Sequence, residues 1–324
     1  MSVLAQADAD LREGRVSEAI MALRAYVKEH PGDAAATERL AFACHRLGDL
    51  PAAAAAFKSL CGILPSSASA ASNLATVLGQ MQRYDDALRH LDRAITLDKG
   101  FLDARINRAQ ILEMRGRSAD AIDDFRSVVE ANPDHKLAWY RLGHVLINLG
   151  RREEGQAAFD RAIALDPDYA EARWARTMSM LPQAYDIGEK PETFYEAFSQ
   201  RLAWLDRWFA EGHDALGHRA VGNQQPYYIV YHDRNNREVL SRYGDLCVRL
   251  MNAWYGERTP SAGSGRDGPI EVAIVSGNVH DHAVWTAIVR GWCRKIDRSR
   301  FRLSIIYTDS IADAETAIAR ASVD

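Results

Sequence analysis

The side chains most suited to chemistry lie late in the chain, in Val275-Ser-Gly-Asn-Val-His280-Asp281-His282-Ala-Val-Trp285. An imidazole titrates near neutrality and serves as a base or as a substrate contact. The plainer alternative has Asp281 capping a following helix, with His280 and His282 on the surface. Other chemistries lack their residues: no G-x-G-x-x-G, P-loop, G-x-S-x-G elbow, H-E-x-x-H or metal triad occurs. Cys44, Cys61, Cys247 and Cys293 stand far apart, with no C-x-x-C pair for zinc or redox work. Cys44 and Cys61 sit on periodic apolar positions, as buried thiols do. A second set of residues suits binding. Asn73 and Asn107 lie 34 residues apart. A carboxamide donates and accepts together, so two of them at this spacing form a short ladder able to grip a peptide backbone. Their alternative reading is that of ordinary solvated helix residues.

These residues need elements to hold them. Pro269-Ile270-Glu-Val-Ala-Ile-Val275 is a short apolar run rich in β-branched residues, which predicts a buried strand. His282 to about Arg294 follows as a helix, Phe301 to Tyr307 as a second strand, and Ile311 to Ala321 as a second helix capped by Asp309 or Ser310. Strand-helix-strand-helix at this spacing opens a Rossmann-like parallel sheet, and His282 falls at the carboxyl end of its first strand, where such sheets place ligands. Two parallel strands and two helices cannot cover both faces of a sheet. The expectation is that the last residues dock on something else or that the chain is the front part of a longer polypeptide.

The first half is a repeat. Pro31, Pro65, Pro133 and Pro167 lie on one grid of 34 residues, with Lys99 at the vacant node. Small residues recur at Ala7, Ala41, Ala75, Ala109 and Gly143, and again at Ala19, Ala53, Ala87, Ala121 and Gly155. A bulky position runs Leu23, Phe57, Leu91, Phe125 and Phe159, and Gly14, Gly48, Gly116 and Gly150 mark a turn from which Gln82 departs. Each unit reads as helix, Gly turn, helix, Pro stop. The small residues allow close helix approach and the bulky one fills the groove beside them. A sixth first helix begins at Tyr169 and is cut by Pro182. Beyond it Phe194, Tyr195, Phe198, Leu202, Leu205, Trp208 and Phe209 predict a helix over 192–211, and Asn236 a capped helix carrying Val239, Leu246 and Leu250. Trp174, Trp204, Trp208 and Trp254 read as core. The stretch 261–268 is Gly- and Ser-rich, as a flexible linker is.

The repeated unit is similar to the tetratricopeptide repeat, five times in phase, and the copy from Trp139-Tyr-Arg-Leu142-Gly143 through Ala162 and Pro167 resembles that family's consensus at nearly every key position. Such repeats stack into a right-handed superhelix whose concave face, lined by the first helices, binds extended peptides or helices. Repeats, then a helical connector, then V-S-G-x-x-x-x-H-x-V-W resemble the O-GlcNAc transferase and SPINDLY-like glycosyltransferases. Residues 235–247 and 303–308 also resemble bacterial members. The resemblance implies five repeats over 1–169, a capping helix and connector over 170–258, a linker over 259–268, and an incomplete first Rossmann-like lobe of GT-B type over 269–324. It also implies transfer of N-acetylglucosamine from a UDP-sugar donor to Ser or Thr of a protein held by the repeats. His282 then corresponds to the active-site histidine, and Asn73 and Asn107 to the acceptor-binding ladder, which Arg39 and Arg141 interrupt. The donor lobe and its phosphate-contacting basic residues have no counterpart here, so the chain is expected to be inactive alone. The rival is a non-catalytic scaffold for protein–protein interaction.

Composition narrows the partners. The 324 residues carry a net charge of −4, with 47% apolar and 26% charged residues. This is a globular balance with no general affinity for nucleic acid or anionic membrane. No apolar run approaches membrane-spanning length and no secretory signal opens the chain, which suggests the cytoplasm.

Overall fold

The computed structural model describes residues 2–256, 269–277, 279–281, 285–309 and 313–323. They fall into two compact units, residues 1–257 and 258–324.

The first unit begins with ten helices in antiparallel pairs: α1 (Val3–Arg12) with α2 (Val16–Glu29), α3 (Ala34–Leu47) with α4 (Leu50–Ile63), α5 (Ala68–Gln80) with α6 (Tyr84–Leu97), α7 (Leu102–Met114) with α8 (Ser118–Ala131), and α9 (Lys136–Asn148) with α10 (Arg152–Leu165). Both small-residue rows and the bulky row are buried throughout, so the grid is a packing grid. In the last pair both small positions are glycine, and a Cβ on Gly143 would stand 2.7 Å from the Phe159 ring. Asp33, Asp49 and Ser67 accept from the backbone three residues ahead and cap α3, α4 and α5. The turn glycines take φ between +72° and +83°; Gln82 takes the same left-handed backbone at φ 59° despite its Cβ.

The sixth first helix, α11 (Ala170–Met178), ends before Pro182 is reached. The connector follows as α12 (Pro191–Trp208), short helical turns at Phe209–His213, Asp214–Arg219 and Tyr227–Tyr231, and α13 (Arg237–Tyr255). Its core gathers Trp174, Phe198, Leu202, Leu205, Phe209, Ile229, Leu246 and Leu250. Trp174 and Trp208 are buried as expected, whereas Trp204 and Trp254 are exposed by 43% and 51%. Asn236 stands at the start of α13 without capping it; its Nδ2 donates instead to the Ile229 carbonyl at 3.0 Å.

The second unit holds β1 (Ile270–Ser276), a π-helical turn at Trp285–Val289 running into α14 (Arg290–Lys295), β2 (Phe301–Tyr307) and α15 (Ala314–Arg320). β1 and β2 are parallel, from Ile270 opposite Phe301 to Ser276 opposite Tyr307. One sheet face, with Val272, Ile274, Leu303 and Ile305, packs on Trp285, Val289, Cys293 and Ala319. The strands are not buried on both faces as their apolar runs suggest, since Val275 and its cross-strand partner Ile306, on the opposite face, are 64% and 53% exposed. Asp313, rather than Asp309 or Ser310, caps α15, in a capping box with Thr316. The described part of this unit is a pair of short parallel strands with their helices, short of the Rossmann-like lobe that the resemblance implies.

Candidate functional site

The first helices α1, α3, α5, α7 and α9 stand side by side, and their exposed face is tied across the repeats by side chains. Arg39 on α3 donates to Asp8 on α1 at 2.9 Å. His45 on α3 meets Gln80 on α5 at 2.8 Å. Asn107 on α7 donates to Ser72 and Thr76 on α5, each at 3.3 Å. The row two residues before the first small position thus holds four different situations. Arg39 is ion-paired, Asn107 is spent on its neighbour, and Asn73 is half-buried with no hydrogen bond among the described residues. Arg141, the fourth, has neither an ion-pair partner nor a hydrogen bond among the described residues, and its Nε is buried. The two asparagines lie on adjacent first helices, Asn107 with its Nδ2 turned to its neighbour's hydroxyls.

Around Arg141 the face deepens into a cavity of about 500 Å³. α7 contributes Glu113, α9 contributes Tyr140, Arg141, His144 and Asn148, the start of α11 contributes Tyr169 and Glu171, and the connector contributes Arg219 and Asn223. A second cavity of about 670 Å³ shares Asn148 and Asn223 and runs on beneath the connector toward Arg152, Leu181 and Tyr228. Between them the connector lies against the face of the repeats. Trp174 Nε1 donates to the Gln224 carbonyl at 2.9 Å, and Gln224 Nε2 donates to His144 Nδ1 at 3.1 Å. An accepting Nδ1 puts the ring proton on Nε2.

The electrostatics follow from burial. His144 is pulled down to about 4 by desolvation and then by Arg141, so the ring is neutral at physiological pH. Desolvation raises the Glu113 carboxyl, opposed by Arg141, and raises the Tyr140 and Tyr169 hydroxyls. Glu171 has a buried Oε2 with no partner, and Gln224 a buried Oε1 in the same condition. Buried polar atoms are rarely left unpaired in folded chains. This end of the groove therefore keeps donors and acceptors unspent in a partly desolvated place.

Elsewhere the charges are structural. Arg108 grips the buried Asp124 with Nε at 2.8 Å and Nη2 at 2.6 Å, and Asp92 with Nη1 at 2.7 Å, tying α6, α7 and α8 together. Among the described residues no group of three His, Cys, Asp or Glu side chains could hold a metal ion, and no helix is long and apolar enough to cross a membrane. The four cysteines are unpaired, with Cys44 and Cys61 buried as the periodicity suggests. His282 lies outside the described residues. Its neighbour Asp281 gives its backbone N–H to Asp313 at 2.7 Å. Sequence reasoning picks out Asn73 and Asn107 and misses Gln224, Asn223 and Arg219, because a turn that reaches across to another element carries no periodicity.

Comparison with known proteins bears on the repeats. Tetratricopeptide-repeat profiles match residues 4–68 and 72–136 and, with a second profile, 112–181. Protein FlbA of Caulobacter vibrioides is 26% identical over 150 residues, 46% of this chain and 24% of that protein. The peroxisomal targeting signal receptor of Kluyveromyces lactis is 42% identical over 60 residues, 18% of this chain and 11% of that one. The matches thus span no more than 24% of either relative's length. A solved structure of pilF from Pseudomonas aeruginosa matches 67% of this chain and 96% of its own at a TM-score of 0.50, with 14% identity, a likeness of fold alone.

Proposed function

We propose, for a chain that belongs to the tetratricopeptide-repeat proteins, that it is a non-catalytic interaction scaffold whose first-helix groove holds an extended polypeptide segment of a partner. The observation that carries this reading is the polar groove itself. Asn73, Arg141, Glu171 and the side-chain oxygen of Gln224 lie along it unpaired among the described residues, while charges such as Arg108 and Asp124 are satisfied within the fold. Apolar anchor points stand beside them, since Phe42 and Met114 are exposed on the same row of helices. The peroxisomal relative is by its name a receptor for a targeting signal, which supports a polypeptide as occupant. Photo-crosslinking residues placed at Phe42, Asn73 and Gln110, against controls at Lys58 and Glu130 on second helices, test it in the native cell. Protein adducts confined to the groove positions are expected; equal yields at the controls exclude the groove as the binding face.

A second reading, the amino-terminal part of a protein O-linked glycosyltransferase, is favoured by one observation. The parallel β1–β2 pair is joined by a helical crossover, and Gly277 follows directly on the carboxyl end of β1, the end at which open α/β sheets take ligands. The family match ends at residue 181 and bears on the scaffold reading alone. Because the donor lobe has no counterpart in these residues, the two are separated on the protein purified from its native cell: an intact mass well above 36.1 kDa with heat of binding to UDP-N-acetylglucosamine favours the transferase, and a mass of 36.1 kDa with no such heat leaves the scaffold.

A further inference from the structure

The cavity at Arg141 says what sort of side chain the groove selects. Its charged lining residues are Arg141, Arg219, Glu113 and Glu171, two of each sign, and among the described residues none of the four has an ion-pair partner. An incoming carboxylate meets Glu113 and Glu171, and an incoming ammonium meets Arg141 and Arg219. In a partly desolvated place such like-charge approaches are weakly screened. The remaining lining is uncharged: Leu137 adds one apolar side chain, and Tyr140, Tyr169, His144, Asn148 and Asn223 can all hydrogen-bond. What suits this ring is a neutral group with donors for the carboxylates and an acceptor for the guanidinium. A primary carboxamide has two N–H donors and one oxygen with two lone pairs, and no charge to desolvate.

The chain already places one such group at the rim. The Gln224 carboxamide sits against His144 at 3.1 Å, while its own oxygen, Arg141 Nε and Glu171 Oε2 stay buried without partners. About 500 Å³ is ample for one side chain and the main chain that carries it. We infer that this cavity is a subsite for an asparagine or glutamine side chain of the bound polypeptide, with Glu113 and Glu171 taking its N–H groups and Arg141 giving a hydrogen bond to its oxygen. The inference rests on the scaffold reading proposed above.

Panning a random peptide display library on the full-length chain tests it. The enriched peptides should share Asn or Gln at one position. Replacing that residue by Ala, Asp, Glu or Lys in a synthetic copy should weaken binding about tenfold, as when a site built for a polar group loses it. The preference should vanish on Arg141→Leu and on Glu171→Gln, the second being a near-isosteric change that spares the fold. Enrichment of acidic or basic residues, or no shared residue at all, overturns the subsite and leaves the scaffold standing. A library that yields no binder, or binders indifferent to substitution at Phe42 and Asn107, overturns the scaffold reading and the subsite with it.

Discussion

Phe42 and His144 occupy one position of the repeat, three units apart, and do the same packing work under different cover. Phe42 meets the Phe57 ring edge-on at 5.2 Å and 88°; His144 meets Phe159 at 5.2 Å and 80°. The framework is therefore reproduced to within a few degrees across the array. What differs lies above it. Phe42 is 47% exposed, while His144 is covered by Gln224 of the connector and its neighbour Tyr140 is buried. The same contrast runs through the adjacent row, where Arg39 is paired with Asp8 and Arg141 is left unpaired beside a cavity. A repeat grid fixes packing positions and leaves the outward positions free, so one end of the array is an open apolar face and the other a polar recess.

Four measurements sharpen or break this comparison. The largest effect concerns pH. With its folded value near 4 and an ordinary value near 6.5, the His144 ring is bound by a proton more readily in the unfolded chain. The stability it contributes is whole above about pH 6.5 and is lost as pH falls toward 4, a change on the order of 3 kcal/mol. Urea melts across this range should show a shallower acid slope for His144→Gln than for the parent; equal slopes break the contrast with Phe42, which does not titrate. Next, Gly143→Ala should destabilise by about 2 kcal/mol, because the new methyl meets the Phe159 ring at 2.7 Å. The matching Ala41→Gly should lose only about 1 kcal/mol of helix propensity. Third, Arg141→Leu should weaken partner binding about tenfold, roughly 1.4 kcal/mol, with the melting midpoint nearly unchanged. Arg39→Leu should do the reverse, losing less than about 1 kcal/mol of stability from its exposed ion pair and leaving binding alone. Smallest, Gln82→Gly should stabilise by about 0.5–1 kcal/mol by relieving a left-handed residue at φ 59°.

The repeats were legible because their cause is periodic. A small residue at Ala41 or Ala75 and a bulky one at Phe57 recur every 34 residues only where helix pairs stack, and Gln82, the departure from the glycine row, is the residue that takes a left-handed backbone with a Cβ. Elements whose partners are remote in sequence were not legible in this way. Asn236 looked like a cap by its type, yet its carboxamide found the Ile229 carbonyl seven residues back. Asp313 serves both the start of α15 and the Asp281 backbone 32 residues away. Gln224 reaches His144 across 80 residues, which no local pattern encodes. The apolar run of β1 announced a strand, but its composition could not say that Val275 would remain open on one sheet face.

The central claim, that the first-helix face holds a polypeptide, is tested most directly by hydrogen–deuterium exchange of the full chain with and without the polypeptide recovered by crosslinking. Slowed exchange in α5, α7 and α9 and in residues 219–225, with residues 269–323 unchanged, is the expected result. Protection confined to residues 269–323, with the repeat helices exchanging as in the free chain, contradicts it.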